Sequence, residues 1–342
     1  MKSLAVLAAG MVTPLGFNAP ATLAALRAGV SAVGMIPWRD PQSGEPLRGA
    51  KVDLPQWWEG VGKLADLVAP AIHECIKSAQ PMSPNAIPLL LGVAEADRPA
   101  RTQGCEAQLL EEIEARLEFA LHSDSVAFAG GQTACAHALL RAEALIASGK
   151  APMCIVAGVD SYLQKPTVEA YASKRRLMTP DNSNGFFPGE AGSAVLVTSA
   201  AAAAGNSCLR ILGYGSAQEH ATIDSTLPLK AVGLTQAIKQ ALAEAGLGMG
   251  RVNYRLTDLT GEHYKFKEAA FAANRLDKQK RAGALELWHP VEYLGEIGAA
   301  ILPCLLGWAL HACRMGYAPG PTALCHVGND GGERCALVVS CS

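Results

Sequence analysis

The feature that most constrains the fold of this 342-residue chain is the alternation of short apolar runs with longer segments of helical periodicity. The apolar runs predict strands at 4–9, 88–93, 125–129, 153–158, 192–198, 208–213, 252–259, 284–287, 323–327 and 335–340. The longer segments predict helices at 20–28, 63–78, 106–120, 133–148, 228–245, 266–275 and 297–313. Such alternation is typical of βαβ units around a largely parallel sheet. This alternation of strands and helices occurs twice along the chain, which indicates two similar halves.

Bulk composition excludes several classes of protein. The chain is 50% hydrophobic and 18% charged with a net charge of −2, as expected of an ordered α/β protein rather than a disordered or nucleic-acid-binding one. No apolar run reaches the roughly 18 residues that a membrane span needs, so we expect no membrane partner. The apolar start is read as a first strand and not as a signal peptide.

The ten cysteines carry no CxxC pair and no Cys/His spacing of a metal site. Most lie in apolar segments, where cysteine behaves as a small buried hydrophobic residue. We therefore expect a reducing, cytoplasmic location with no disulfide framework and no bound metal.

The stretch Gly130–His137, written GGQTACAH, follows one predicted strand and opens a predicted helix. Because a helix N-terminus offers unpaired N–H groups and positive potential, a sharp strand-to-helix turn is a suitable place for a nucleophile. The turn contains both Gln132 and Cys135, and which of them occupies the elbow decides the chemistry.

Four segments in order resemble the β-ketoacyl-ACP synthases of the thiolase superfamily. They are GMVTPLG at 10–16, MCIVAGVDS at 153–161, NGFFPGEAG at 184–192 and the glycine-rich turn GNDGG at 328–332. The resemblance implies a five-layered αβαβα fold with an N-terminal half at 1–205 and a C-terminal half at 206–342. It also implies a homodimer, or a heterodimer with an active ketosynthase.

The same resemblance implies substrates carried as phosphopantetheine-linked acyl thioesters, on an acyl carrier protein or as acyl-CoA, with no bound cofactor. In that family a cysteine at the elbow takes the acyl group, and two histidines assist decarboxylation of a malonyl unit. The residues Thr133–Ala136 (TACA) are identical to the family's motif, which favours Cys135 as the nucleophile. An ungapped alignment instead places Gln132 at the nucleophile position and His137 five residues later, where the family also has histidine. Helix periodicity favours Gln132.

The other catalytic positions also depart from the family pattern. Thr260 stands where the first histidine is expected, His263 follows three residues later, and Glu296 stands near the second histidine. Glutamine cannot form a thioester, and an ionised glutamate would repel an enolate. The alternative is a Glu296 that stays protonated in an apolar pocket and acts as a general acid.

Further residues are expected to line a substrate site: His137, the aromatic pair Phe186 and Phe187, and Asn329, Gly331 and Gly332 of the glycine-rich turn. Basic residues that could attract an acidic carrier protein are Lys174, Arg175, Arg176, Lys265, Lys267, Arg275, Lys278, Lys280 and Arg281.

These observations favour a β-ketoacyl-synthase-like protein of fatty acid or polyketide metabolism with altered or lost condensing activity, similar to a chain-length-factor subunit. Two alternatives stay open. One is an active acyltransferase or 3-oxoacyl-ACP synthase that uses Cys135, and the other is a malonyl-ACP decarboxylase.

Overall fold

The computed structural model describes residues 4–279 and 283–342. The strands are β1 Leu4–Val12, β2 Gly34–Arg39, β3 Pro46–Gly49, β4 Leu89–Val93, β5 Val126–Ala129, β6 Met153–Ser161, β7 Glu190–Ser199, β8 Leu209–Gln218, β9 Tyr254–Thr257, β10 Glu286–Trp288, β11 Thr322–Gly328 and β12 Glu333–Cys341. The helices are α1 Ala19–Arg27, α2 Val61–Ser78, α3 Ala107–Leu117, α4 Ala134–Ala147, α5 Lys165–Ser173, α6 Val232–Ala245, α7 His263–Leu276, α8 Val291–Leu294 and α9 Ile301–Arg314.

Ten strands form one sheet in the order β10-β9-β11-β12-β8-β1-β7-β6-β4-β5. In the N-terminal half, β7 is antiparallel to both β1 and β6, while β4 is parallel to β6 and β5. In the C-terminal half, β12 is antiparallel to β8 and β11, while β9 is parallel to β11 and β10. The same five-strand pattern therefore occurs twice. The two copies join where Ala5 and Val6 of β1 pair with Arg210 and Leu209 of β8.

The expectation of a largely parallel sheet is wrong, because each half combines antiparallel and parallel pairs. A strand whose two faces are both covered is apolar along its whole length, whether it pairs in parallel or antiparallel. The amino-acid sequence of β7 therefore does not reveal the direction of its pairing.

Helices α4 and α9 form a middle layer. Their buried faces share one core with strand residues of both halves, such as Val156 of β6 and Leu337 of β12. The helices α2 and α3 cover the outer face of the N-terminal strands, and α6 covers the outer face of the C-terminal strands with Ala272 of α7 beside it. This arrangement is the expected five-layered αβαβα fold.

Several elements at the edges of these layers are absent from the sequence prediction. The hairpin β2–β3, the helix α5 and the single turn α8 were not predicted, because they are short and lie outside the repeated pattern. Residues 298–300 form a 3-10 turn, so α9 begins at Ile301 rather than at 297.

A disulfide joins Cys313, near the end of α9, to Cys341, at the end of β12. The sequence predicted no disulfide framework, and this pair is the single bridge among the ten cysteines, all of which lie in described residues. The fold brings together two cysteines that are 28 residues apart, with Cα atoms at 5.8 Å. Their spacing in the sequence gave no sign of it.

Both halves bring a helix backbone directly against a strand glycine. A Cβ atom added at Gly10 of β1 would overlap the carbonyl oxygen of Ala71 in α2, and one at Gly213 of β8 would overlap that of Ala241 in α6. Only glycine lets the outer helix of each half approach its sheet this closely.

Gly10→Ala is therefore expected to destabilise the fold by about 3 kcal/mol, because either α2 or β1 must move. Gly34→Ala is the matched control, since a Cβ there meets nothing within 4 Å. Urea unfolding of both variants measures the difference. Equal stability of the two variants would contradict the close packing of α2 on β1.

Candidate functional site

The elbow is a 3-10 turn, Gly131–Thr133, which connects β5 to α4. Gly131 has φ +56°, and a Cβ atom there would overlap the carboxyl group of Glu95. The backbone conformation of this position therefore favours glycine, and a side chain here would displace the Glu95 carboxyl group. Gln132 is the middle residue of the turn and is 4% exposed.

Gln132 and Glu296 lie in contact, although 164 residues separate them in the sequence. The amide Nε2 of Gln132 lies 3.3 Å from Oε1 of Glu296 and 3.4 Å from the hydroxyl of Tyr162. Oε1 of Glu296 also accepts a 2.9 Å hydrogen bond from the backbone N–H of Gly298, in the 3-10 turn that leads into α9. The turns that begin the two middle-layer helices are thereby linked.

Burial raises the pKa of Glu296 to about 7, and the neighbouring ammonium of Lys265 limits the rise. At neutral pH a substantial fraction of this carboxyl group therefore keeps its proton. In either form its Oε1 can accept the two N–H groups that point at it.

The ionisable network around this contact contains more carboxyl groups than cations. The carboxyl groups are Glu95, Asp160, Asp258, Glu262, Glu296 and Asp330, and the cations are Arg98, Arg176 and Lys265. Burial raises the pKa of both Glu296 and Asp160, so part of this excess of carboxyl groups is held in the protonated form.

Two internal ion pairs anchor the network. Nη1 of Arg98 lies 2.8 Å from Asp160, and the same guanidinium contacts Glu95 and stacks 4.0 Å from the ring centre of Tyr162. Nζ of Lys265 lies 2.8 Å from Asp258. Burial opposes ionisation of Asp258, but the Lys265 ammonium outweighs it and lowers the pKa of Asp258.

Cys135 lies one residue inside α4 and is completely buried. Its Sγ is 3.4 Å from the carbonyl oxygen of Ala157 and 3.3 Å from that of Ala299. A Cβ atom added at Gly92 of β4 or at Gly158 of β6 would lie 2.6 or 2.9 Å from this sulfur. The two strands therefore pack directly against the thiol. Burial raises its pKa to about 12. A thiol in this environment is neither ionised nor reachable.

Thr260 and His263 make hydrogen bonds with residues other than Gln132. The Thr260 hydroxyl lies 3.2 Å from Oε2 of Glu262, which forms an ion pair with Arg176. His263 is exposed at the start of α7, where its backbone N–H donates to Oδ1 of Asn184.

His137 faces β12 rather than the elbow amide. Its Nε2 lies 2.7 Å from Oε1 of Glu333, and this hydrogen bond raises the pKa of His137. Oε2 of Glu333 accepts a 2.6 Å hydrogen bond from Thr133 in the elbow. Asn329 donates to the carbonyl of Gly130 and approaches the Thr133 hydroxyl, each at 3.1 Å. The glycine-rich turn is therefore bound to the elbow.

The remaining expected substrate residues also make internal contacts. Phe186 is buried against Tyr162 and Tyr171, while Phe187 is half-buried beneath the guanidinium of Arg48. The carbonyl of Gly331 accepts from Gln218, and that of Gly332 accepts from the Glu219 N–H.

Three residues of the site, Arg98, Tyr162 and Lys265, were not among the site residues that the sequence predicted. Arg98 follows the buried strand β4 within the charged stretch AEADR, and charges at the end of a buried strand could have indicated an internal role. Lys265, expected on a docking surface, instead forms an ion pair with Asp258 and has a side chain that is 11% exposed.

The other basic residues expected to attract a carrier protein divide into two groups. Lys174 pairs with Asp224, Arg175 with Asp40, and Arg176 with Glu262 and Asp330. Lys267, Arg275 and Lys278 are exposed, and Nη1 of Arg275 also donates to the Thr235 hydroxyl at 2.8 Å. Lys280 and Arg281 lie outside the described residues.

The structure is similar to ketosynthases and chain length factors over its full length. It matches the ishigamide ketosynthase/chain length factor with 17% identity, a TM-score of 0.74 and 99% of each chain covered. It matches the complex of the ketosynthase ApeO with its chain length factor ApeC from Xenorhabdus doucetiae with 14% identity, a TM-score of 0.75, and 100% of this chain and 98% of that chain covered.

A third structure, the AntDE:AntF complex of a type II PKS acyl-carrier protein with its ketosynthase, gives 15% identity and a TM-score of 0.80 with both chains fully covered. No protein-family model matches the sequence, and no curated protein matches it with significance. At these identities the comparisons establish the fold. The chain has the thiolase-like fold of the ketosynthases, as expected from the sequence.

Within residues 4–279 and 283–342, no helix is both long and apolar enough to cross a bilayer.

Glu296→Gln tests the electrostatics of the elbow. An unfolded carboxyl group ionises near 4.5, below the pKa of about 7 in the folded chain, so the stability of the wild type should fall as pH rises between these values. The glutamine carbonyl can still accept both N–H groups. We expect the variant to be about 3 kcal/mol more stable than the wild type at pH 8, with the difference vanishing near pH 4.

Urea unfolding of both proteins across that pH range is the measurement. A difference that does not change with pH would contradict the buried, proton-retaining state of Glu296.

Alkylation tests the burial of Cys135. In the folded protein, iodoacetamide at pH 8 should modify Cys135 at least roughly a hundredfold more slowly than a cysteine introduced by Ser173→Cys at an exposed position. Peptide mass mapping separates the two sites, and both should react in urea. Comparable rates in the folded protein would show that the thiol is accessible.

Proposed function

We propose that this chain is a non-condensing, ketosynthase-like subunit of acyl-thioester metabolism, of the fatty acid or polyketide type, that works beside an active synthase as a chain-length-factor-like partner. The observation that carries the proposal is the contact of Gln132 with Glu296 at the elbow. A carboxamide cannot accept an acyl group as a thioester, and its N–H is already directed at a carboxyl oxygen.

The environment of the elbow supports the same proposal. Condensation requires an enolate, and the groups that stabilise an enolate are neutral or cationic hydrogen-bond donors. This chain has Glu296 beside Gln132, with Asp258 contributing to the same field. The Thr260 hydroxyl is directed at Glu262 instead. No imidazole is in hydrogen-bond contact with Gln132 among the contacts described for the chain.

The alternative acyltransferase would use Cys135. Its thiol would have to lose a proton with a pKa of about 12 and admit an acyl group between Gly92 and Gly158, where the backbone already touches the sulfur. This alternative requires the strands and the middle layer to separate, and nothing else in the site favours it.

The alternative malonyl-ACP decarboxylase would act at Gln132 without a covalent intermediate. The substrate carboxylate would have to approach Glu296 and the Glu95–Arg98–Asp160 group, in which carboxyl groups exceed the cation. Repulsion between these like charges argues against this activity.

The proposed partners are an active ketosynthase and an acyl carrier protein, with a phosphopantetheine thioester as the substrate of the assembly and the cytoplasm as its location. Complexes of these kinds are found among structures with this fold: ApeO with ApeC, and AntDE with AntF. For carrier docking, the exposed Lys267 and Lys278 on or beside α7 are better candidates than Arg176, whose charge is already used internally.

An acylation assay tests the proposed function. Incubation with an excess of malonyl- or octanoyl-loaded acyl carrier protein, and in parallel with the CoA thioesters, should leave the intact mass of the chain unchanged. A cysteine-bearing ketosynthase treated identically is the positive control. An acyl adduct mapped to Cys135 would overturn the proposal in favour of the acyltransferase, and release of carbon dioxide from malonyl donors would favour the decarboxylase.

A further inference from the structure

A cavity of about 380 Å³ lies on the outer face of the N-terminal half, between α2, the end of α3 and residues 54–56. We call it the outer cavity. Val12 of β1, which lines it, belongs to the core that α2 and α3 form with the sheet. The helix α4 packs on the opposite face of these strands, so the sheet separates the outer cavity from the elbow. Cavities of this size hold small molecules in many proteins.

The outer cavity extends along two turns of α2. Asp66, Ala69, Pro70 and His73 line it at the spacings of three and four residues that define one helix face. Asp66 and His73 are therefore roughly 10 Å apart along the helix. Phe17, which is 54% exposed, also lines the cavity. A ligand in this groove can contact apolar side chains along its length and Asp66 near one end.

The ionic group at the Asp66 end contains two carboxylates and one guanidinium. Nε of Arg116 lies 2.8 Å from Oδ1 of Asp66, and Nη1 of Arg116 also pairs with Glu112. Further N–H groups of Arg116 donate to the main-chain carbonyls of Glu112 and Gly62. The donors of this guanidinium are thus engaged within the chain, and the ionic group keeps an excess of negative charge.

Asp66 can accept more hydrogen bonds than the chain gives it. Oδ1 accepts from Arg116 and Oδ2 accepts at 2.6 Å from the indole N–H of Trp58, whereas a carboxylate has about four acceptor positions. The main-chain carbonyl of Asp66 lacks its usual helical donor, because Pro70, four residues later, has no N–H. The cavity end therefore offers acceptors to a ligand.

These properties select the ligand by its charge. A carboxylate or phosphate group would be repelled by Asp66 and Glu112 and would find the Arg116 donors in use. An ammonium group would instead donate to the free acceptor positions of Asp66. The aromatic side chains Phe17 and Trp58 add to the preference, since aromatic rings attract organic cations.

We propose that the outer cavity is a binding site for a small organic ammonium compound, whose ammonium group donates to Asp66 and whose apolar body lies along α2 against Phe17. The site is distinct from the elbow, and the inference does not depend on the proposed function.

Three probes that differ only in the head group test the proposal: 4-phenylbutylammonium, 4-phenylbutanol and 4-phenylbutanoate. Isothermal titration calorimetry of the full chain at pH 7.5 and low salt measures their affinities. The ammonium probe should bind at least roughly tenfold more tightly than the carboxylate, with the alcohol between them.

Two variants assign the binding to the outer cavity. Asp66→Asn keeps an oxygen that accepts from Arg116 but removes the negative charge, so the ammonium probe should bind roughly tenfold more weakly while the affinity for the alcohol stays within about twofold. Phe17→Ala, at a largely exposed position, should weaken binding of the ammonium and of the alcohol alike, by roughly threefold.

Asp181→Asn is the matched control. It makes the same change of net charge at an exposed position outside the cavity lining and should leave all three affinities unchanged. Thermal unfolding confirms that each variant is folded. Any of three results would overturn the proposal: no binding of the ammonium probe at millimolar concentration, equal affinities for the ammonium and the carboxylate, or an ammonium affinity that neither Asp66→Asn nor Phe17→Ala reduces.

Discussion

The contact between the Gln132 amide and the Glu296 carboxyl group is the interaction on which the account of this protein depends. It joins the turn before α4 to the turn before α9 across the middle layer, and 3.3 Å separates the two atoms. Both residues are buried. In a low-dielectric interior such a pair is stabilised when its N–H and oxygen groups point at each other, while Oε1 of Gln132 has no hydrogen-bond partner among the described residues. The proposed loss of condensing activity rests on this contact.

The repeated fold explains why these two turns meet. Each half leads from its edge strand, β5 or β10, to a middle-layer helix, α4 or α9, and a 3-10 turn precedes each helix. The pseudo-symmetric halves therefore bring two helix beginnings to one place. A ketosynthase-like active site and the site described here need the same backbone, and the side chains at these turns decide the chemistry.

Much of the architecture could be predicted from the sequence because long apolar and helical patterns repeat. The segments around β5, α4 and β6 match their predicted bounds to within a few residues. The direction of β7 and the hairpin β2–β3 could not be predicted, because neither leaves a distinctive periodicity. Of the site, Gln132 and Glu296 were named from the register of the resemblance. Their contact, and the burial of Arg98 and Lys265, depend on long-range packing that no local pattern records.

A double-mutant cycle on Gln132 and Glu296 tests the central claim most directly. Gln132→Met and Glu296→Met, alone and combined, replace the polar ends with apolar groups of similar size, and urea unfolding at pH 8 gives the four stabilities. The account predicts a coupling free energy of about 1–2 kcal/mol, since each single variant leaves one buried polar group without its partner. Additive effects of the two substitutions would show that the amide and the carboxyl group do not interact, and would contradict the account.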